Sequence, residues 1–131
     1  MPVDLHVVTP QREVWAGDAE MVIARGVDGE VGILGGHAPL LIQLAVGPLR
    51  IIQEGAPELR AVVDGGFMHV TSGSEGTRVD VMASEAELQS EIDFEAAARL
   101  QQELAGRDDE ESKQALARAQ ARVDLRTSAA R

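Results

Sequence analysis

Histidine and carboxylate side chains are the groups in this sequence that have the chemistry for acid–base catalysis. His37 lies in a glycine-rich segment, GEVGILGGHAPLL, that runs from Gly29 to Leu41, and Asp28 and Glu30 are close to it in sequence. A histidine beside a carboxylate can serve as a general base, but no nucleophile accompanies His37 at a recognisable spacing. We therefore interpret the segment as an exposed contact loop, with a small hydrolase using His37 as a disfavoured alternative.

The other patterns that bind metals or phosphates in proteins are incomplete here. His6 and His69 fall inside strand-like patterns, and no second histidine completes a metal triad with His37. The Gly-Gly pairs lack the lysine and the Ser/Thr of a phosphate-binding loop, and the one lysine of the chain, Lys113, lies far from them. The sequence thus predicts no catalytic residue, no metal site and no required cofactor.

Charge and composition limit the class of partner. The chain has 131 residues, a formal net charge of -10 and no cysteine. Nucleic acid and anionic lipid both attract basic surfaces, so an acidic chain is poorly suited to either. No apolar run approaches the ~20 residues of a membrane-spanning helix, and no signal peptide is visible. We expect no nucleic-acid partner, no direct lipid insertion, and action inside the cell or on the inner face of a membrane.

The elements that must position the glycine-rich loop are short strands. Val3, Leu5 and Val7 alternate with other residues in a half-buried strand pattern. Many short segments of this kind, separated by Gly and Pro, favour an antiparallel β-sandwich over residues 1–84. The further strand candidates are 19–25, 30–34, 40–46, 49–53, 59–64, 67–70 and 78–83.

After Ala83 the pattern changes to that of a helix. The residues from Ser84 to Glu87 have capping-box spacing, with Ser90 and Asp93 as later start points. Two helices with a break at Gly106 predict an antiparallel hairpin over residues 85–131 and an α+β chain. The predicted apolar stripes are Ile92, Ala96, Leu100 and Leu104 in the first helix, and Leu116, Ala119 and Val123 in the second.

Acidic residues are concentrated in the first part of the predicted hairpin and basic residues in the second. Ten acidic residues lie between Glu85 and Glu111, whereas from residue 112 onward basic residues face only one acid, Asp124. An acidic helix beside a basic one suits a folded hairpin, although exposed ion pairs contribute only ~0–1 kcal/mol each. Because alanine buries little apolar area, we expect this alanine-rich hairpin to hold weakly and an acidic partner to draw the second helix away.

The order of these elements, and several motifs within them, closely resembles the epsilon subunit of F-type ATP synthases. The Gly-His-x-Pro-Leu element in its strand context is the most specific of the motifs, although Gly35 stands where the family usually has proline. The motifs that carry the resemblance are Val8-Thr9-Pro10, Gly29 to Ile33, Gly36 to Leu40, Gly65-Gly66-Phe67, Val79 to Ala83, Ile92-Asp93 and Ala115 to Ala119 with Arg122.

The resemblance implies a non-catalytic subunit of the rotating central stalk that couples proton flow to ATP synthesis. Its sandwich would dock on the gamma subunit and on the c-ring, and Glu30 and His37 match positions that face the c-ring in the family. Its helices would reach the alpha/beta catalytic head transiently and restrain ATP hydrolysis. Such a subunit would lie peripherally on the cytoplasmic face of the bacterial plasma membrane.

The second helix would carry the inhibitory contacts on the same resemblance, because the catalytic beta subunits of the family present an acidic segment near the stalk. Three arginines at four-residue spacing lie along one face of this helix: Arg118, Arg122 and Arg126. In the alternative interpretation these arginines pair within the folded hairpin with Glu91, Glu95 or Glu103.

Some bacterial members of the family also bind ATP on the folded hairpin, through a motif that reads Ile-Asp-x-x-Arg-Ala. Ala96 stands at the arginine of that motif, which removes a charge-assisted hydrogen bond worth ~1.5–3 kcal/mol. Arg99, one turn further on, is the candidate to compensate. ATP is therefore expected only as a weak regulatory ligand, and a free-standing nucleotide sensor is the second function class. The matching residues are Glu87, Ile92, Asp93, Ala97, Arg118 and Arg122.

Overall fold

The computed structural model describes residues 2–129, which form a β-sandwich followed by two helices. The α+β class predicted from the sequence is confirmed, while Met1 and the last two residues of the predicted hairpin, 130 and 131, lie outside the described part. The strands are β1 (Val3–Val8), β2 (Glu13–Ala19), β3 (Met21–Gly26), β4 (Gly29–Leu34), β5 (Leu40–Ile52), β6 (Leu59–Val63), β7 (Phe67–Gly73), β8 (Gly76–Met82) and β9 (Ala86–Leu88). A 3-10 turn (Gln89–Glu91) leads to the helices α1 (Phe94–Leu104) and α2 (Glu110–Ala129).

The long strand β5 belongs to both layers of the sandwich. Its first residues, Leu40 to Gln43, pair with β7 in a sheet ordered β2-β1-β8-β7-β5. Its later part pairs with β3 on one side and with β6 on the other, in a sheet that also contains β4 and β9. The pairs are antiparallel except for β1 with β8, which is parallel.

Aliphatic side chains between the two layers form the core. The predicted alternation in β1 is confirmed, because Val3, Leu5 and Val7 are fully buried while Asp4 is exposed. They pack with residues from the other strands, including Ile33 and Leu49. Each aliphatic side chain of this size stabilises the fold by about 1.5–3 kcal/mol when fully buried, so the sandwich holds together without many aromatic residues.

Three strand predictions were wrong. The strand β2 was not predicted, and β5 was predicted as two strands separated at Gly47-Pro48. The predicted capping box at Ser84 to Glu87 does not start a helix, since these residues lead into β9, which pairs with β6. The predicted boundary after residue 84 therefore lies before the last strand of the sheet.

The helices begin at side-chain caps and run antiparallel. Asp93 Oδ1 accepts a hydrogen bond from the Ala96 N–H at 3.0 Å, so α1 starts at the last of the predicted positions. Gln101 hydrogen-bonds Gln120, and Phe94 at the start of α1 lies under Arg126 near the end of α2. Outside the part of the hairpin that contacts the sandwich, the buried residues of the two helices, as far as burial is described, are Ala97, Leu104, Ser112 and Ala119, and only Leu104 among them is large.

The predicted apolar stripes are only partly buried. In α1 the side chain of Leu100 is 41% exposed and Ala96 is half-buried, whereas Ala97 is buried in their place. In α2 only Ala119 of the predicted stripe is buried. The stripes differ because α2 has two contact faces, one against α1 and one against the sandwich.

The hairpin docks on the outer face of the sheet that contains β6. The buried residues of this contact are few, and we call them the docking core: Val62, Ile92, Ala121 and Leu125. Val46 and Phe94 pack against their edge. The docking core is small beside the sandwich core, so the charged residues around it weigh heavily in the balance between a docked and an undocked hairpin.

Candidate functional site

Each of the three arginines of α2, which we call the arginine row, has a contact within the chain: Arg118 and Arg122 face the sandwich, whereas Arg126 is exposed. Arg118 Nε lies 3.5 Å from Asp64 Oδ2, at the end of β6. Arg122 Nε donates a hydrogen bond of 2.5 Å to Glu87 Oε1 in β9. Arg126 lies over the ring of Phe94, with 5.8 Å between the guanidinium carbon and the ring centroid, which is within the range of a cation–π contact.

The intramolecular partners are not the ones that the sequence suggested. Glu91, Glu95 and Glu103 were the predicted partners, but the row pairs with Asp64 and Glu87 on the sandwich side. Glu91 accepts a hydrogen bond of 2.9 Å from Arg12, which follows β1. This bond, with one from the Leu88 N–H, lowers the pKa of the Glu91 carboxyl. Glu91 therefore ties the turn before α1 to the sandwich.

A pocket of about 320 Å³ lies between the two helices and β9, where the ATP motif was predicted. Five of the six matching residues line it: Glu87, Asp93, Ala97, Arg118 and Arg122. Ile92, the sixth, is buried in the docking core instead. Ala96 lines the pocket at the motif's arginine position, and Arg99 is not among the lining residues, so it does not compensate for the missing guanidinium.

The charges of the pocket are already largely balanced. Glu85, Glu87 and Asp93 contribute three carboxylates against the guanidinium groups of Arg118 and Arg122. Asp93 is engaged as the cap of α1, and Glu87 holds Arg122. A triphosphate entering this pocket would compete with the protein's own carboxylates for the two arginines.

Asp64, just outside this pocket, was missed by the sequence reasoning. Burial raises the pKa of its carboxyl, the nearby charge of Arg118 opposes that rise, and Glu85 adds to it. Because 54 residues separate Asp64 from Arg118, helix periodicity alone gave no signal for this contact.

The two predicted contact residues of the glycine-rich segment lie apart. Glu30 is the second residue of β4, at the exposed turn after β3, whereas His37 lies three residues beyond the other end of that strand. At about 3.3 Å per strand residue, the four steps from Glu30 to Leu34 alone span about 13 Å. His37 Nδ1 lies 2.7 Å from the Ala38 carbonyl oxygen, so its ring contacts the loop itself rather than the acids near the β3–β4 turn.

The loop around His37 is fixed to the β7–β8 hairpin. The Gly36 N–H donates a hydrogen bond of 2.7 Å to the hydroxyl of Thr77, which is buried. The Ser72 hydroxyl donates to the His37 carbonyl oxygen. Held in this way, the loop presents Ala38 and Pro39 to solvent as part of a defined surface.

The remaining histidines do not build a metal centre. His6 in β1 and His69 in β7 both lie opposite Asp80 of β8 in the sheet register. His6 Nε2 is 3.0 Å from Asp4 Oδ1 but outside hydrogen-bond geometry. Within residues 2–129, no three His, Cys, Asp or Glu side chains are placed to hold a metal ion together.

Comparison with known proteins identifies the family. The family described as "ATP synthase, Delta/Epsilon chain, beta-sandwich domain" matches residues 2–89. The ATP synthase epsilon chain of Brevibacillus brevis is 48% identical over 93 residues, which cover 71% of this chain and 67% of that one. The epsilon chain of Frankia casuarinae is 46% identical over 88 residues, which cover 67% of this chain and 99% of that one.

Solved structures extend the similarity to the helices. A chain of the mitochondrial ATP synthase of Euglena gracilis, in an assembly titled OSCP/F1/c-ring, covers 96% of this chain with a TM-score of 0.80 and 26% identity, over 81% of its own length. A chain in the central stalk/c-ring assembly of the Tetrahymena thermophila mitochondrial enzyme shares the fold, with a TM-score of 0.61 and 18% identity over 98% of this chain and 96% of that one.

With this β-sandwich and these relatives, the chain is a non-catalytic stalk subunit of ATP synthase. The chain belongs to the ATP synthase delta/epsilon chain family, and the relatives it matches are epsilon chains. Neither of its helices, over the residues described, has the length and apolarity needed to cross a bilayer.

Proposed function

We propose that the sandwich docks this subunit on the gamma subunit and the c-ring, and that the hairpin is a brake on ATP hydrolysis. The observation that carries the brake is the placement of the arginine row. In the docked hairpin all three arginines are engaged, with Asp64, Glu87 and Phe94. Undocking would free Arg118 and Arg122 from the sandwich, so that, together with the exposed Arg126, they could pair with an acidic segment of the alpha/beta catalytic head.

The length of one relative supports the division of labour between the two parts. The Frankia casuarinae epsilon chain is matched over 99% of its length by only 88 residues, so it is about as long as the sandwich alone. A sandwich of that size therefore suffices for a subunit of this family, and the helices α1 and α2 that follow it are an addition with a regulatory role. In a bacterial cell the assembly would place this subunit peripherally, on the cytoplasmic face of the plasma membrane.

Hydrolysis by the cognate catalytic complex, depleted of this subunit, tests the brake. The full chain is added back with Arg118, Arg122 and Arg126 all replaced by Gln. In the matched control, three exposed basic residues of the same hairpin are replaced by Gln instead: Arg99, Arg107 and Lys113. Both variants should bind the complex, and only the row variant should fail to inhibit. Inhibition by the row variant equal to that of the unaltered chain would rule the brake out.

Docking on the c-ring involves Glu30 and His37 on this proposal. Glu30 is exposed at the start of β4, and the half-buried His37 lies three residues beyond its end, in a loop that Thr77 fixes to the sandwich. Replacing Glu30 with Gln and His37 with Ala should reduce proton pumping per ATP hydrolysed. The exposed Glu75→Gln variant, in the β7–β8 turn, is the control. Pumping unchanged by the double variant would argue against contact at these positions.

ATP is proposed as a weak regulatory ligand of the pocket between the helices. It would be weak because Ala96 supplies no donor and because Glu87 already holds Arg122. Calorimetric titration of the full chain with ATP tests this directly. Ala96→Arg should tighten binding about tenfold or more, since a charge-assisted hydrogen bond contributes ~1.5–3 kcal/mol. Arg99→Gln, outside the pocket lining, should leave binding unchanged; equal affinity of Ala96→Arg and the unaltered chain would contradict the assignment.

A further inference from the structure

Asp64 occupies the junction between the sandwich and the docked hairpin. It follows directly after β6, and its N–H donates a hydrogen bond of 2.8 Å to the Glu85 carbonyl oxygen, which aligns it with the segment before β9. Its side chain is 15% exposed, and Arg118 of α2 lies over it. Undocking of α2 would therefore return the Asp64 carboxylate to water.

The contacts of this carboxylate are poor for a buried charge. Its separation of 3.5 Å from Arg118 exceeds the roughly 2.7–2.9 Å of a charge-assisted hydrogen bond. Among the residues described, no donor hydrogen-bonds its oxygens. Arg122 lies further along α2 and attracts it more weakly, while Glu85 repels it. The charges facing Asp64 are thus one near cation, one more distant cation and one anion.

An ionised carboxylate in this position disfavours docking. Taking a charge out of water is unfavourable, and a long, single ion pair compensates for it only in part. The raised pKa of the Asp64 carboxyl agrees with this balance, because burial outweighs the attraction of Arg118. A protonated Asp64 removes the unfavourable charge, and Arg118, which is 32% exposed, keeps access to solvent.

We propose that Asp64 is a pH-dependent release element, whose ionised side chain weakens the docked hairpin and whose protonated side chain strengthens it. The docked form binds the proton more tightly than the undocked form does. Docking is therefore strongest at acidic pH and weakens as the pH rises through the range in which Asp64 ionises. Each unit by which the pKa of Asp64 differs between the two forms changes the docking equilibrium about tenfold.

The conformational part of this inference follows from the contacts of Asp64 alone, and only its effect on hydrolysis rests on the proposed brake. Protonation of Asp64 would hold the hairpin docked and keep the brake off, and its ionisation would favour release. Asp64 thus acts in the opposite sense to Glu87, although both carboxylates face the same helix.

Distance measurement on the full chain tests the proposal. Because the sequence has no cysteine, two introduced cysteines can carry a fluorescent donor and acceptor without background. Ser84, just before β9, and Ala117 in α2 are both exposed, and their neighbours Glu85 and Arg118 line one pocket in the docked form. A Leu125→Ala change in all samples weakens the docking core, so that docked and undocked forms are both populated and a shift in either direction is measurable.

As Asp64 takes up its proton, the docked fraction should rise relative to that of Asp64→Asn, which keeps the opposing loss of the Glu91 contact in acid. Asp64→Asn should raise the docked fraction at neutral pH and lack this rise. The exposed Asp18→Asn variant is the matched control and should behave like the parent. A lower docked fraction in Asp64→Asn, or a pH dependence equal to that of the parent, would overturn the proposal. If Asp64→Asn behaves as expected while inhibition of hydrolysis does not change, the release element stands and the brake is wrong.

Discussion

Glu87 and Arg122 join the last strand of the sandwich to α2, and Glu87→Gln should release the hairpin. The substitution keeps the size of the side chain and removes its charge. Arg122, only 15% exposed, then faces a neutral amide, whose oxygen can still accept a hydrogen bond but does not balance the charge of the guanidinium. Its second hydrogen bond, to the Arg118 carbonyl oxygen at 3.1 Å, runs within α2 and does not favour docking.

The magnitude follows from the exposure of the pair. An exposed ion pair contributes about 0–1 kcal/mol, and breaking a fully buried one costs about 3–5 kcal/mol. Glu87 is 35% exposed while Arg122 is mostly buried, so we expect a loss between these limits, about 1–2 kcal/mol. A change of that size shifts the docking equilibrium by a factor of about 5–30.

The two-label distance measurement between positions 84 and 117 reports this shift on the full chain, and the reconstituted complex reports its effect on hydrolysis. Glu87→Gln should lower the docked fraction and increase inhibition, because the row is freed with its charges intact. Glu13→Gln, at an exposed position in β2, serves as the control. A docked fraction that stays the same or rises in Glu87→Gln would refute the reasoning about this pair.

Three further substitutions test the fold and the docking core. Gly66→Ala should destabilise the sandwich by about 3 kcal/mol or more in chemical denaturation, because Gly66 has φ of +94° and a Cβ there would lie 2.1 Å from the Met82 carbonyl oxygen; Gly73→Ala, with open space around it, should have little effect. Two arginines that hydrogen-bond Glu58 lower its pKa to about 2, so the stability that Glu58 adds to the fold is complete above its ordinary pKa of 4.5 and is lost as the pH falls toward 2. This pKa shift corresponds to about 3 kcal/mol, which solvent screening reduces to about 1 kcal/mol. Glu58→Gln should therefore flatten the loss of stability in acid. Leu125→Ala, at a position 2% exposed, should undock the hairpin by about 2 kcal/mol or more in the distance measurement, with no dependence on salt; an effect that salt abolishes would show that charge rather than apolar contact holds this end of α2.

Local pattern predicted most of the strands and the existence of the hairpin, because apolar alternation and turn residues act over a few positions. The strand β2 was not predicted because Glu13 to Ala19 contains glycine and acidic residues. In the sheet this strand pairs with only one neighbour, β1. At Gly47-Pro48 the sequence suggested a break between strands. In the structure β5 continues through these two residues, and the pairing of β3 with β5 is irregular there, since the partner residue in β5 changes from Leu44 to Leu49.

The candidate site was predictable only where it depends on one helix. Four-residue spacing placed Arg118 and Arg122 on one face, and the structure keeps them there. Their partners were not predictable, because Asp64 and Glu87 reach them through sheet pairing and docking rather than through helix periodicity. The same limit applies to Glu91, whose partner Arg12 is 79 residues away.

The continuity of β5 has a mechanical consequence. This single strand of 13 residues, about 40 Å of nearly extended chain at 3.3 Å per residue, begins just after the loop that carries His37 and passes beneath the docked hairpin at Val46. It is hydrogen-bonded to β7 near one end and to β3 and β6 along the rest. A load applied at the loop therefore reaches the hairpin side through one continuous, hydrogen-bonded strand, so the two layers of the sandwich should rotate as one piece when the stalk turns.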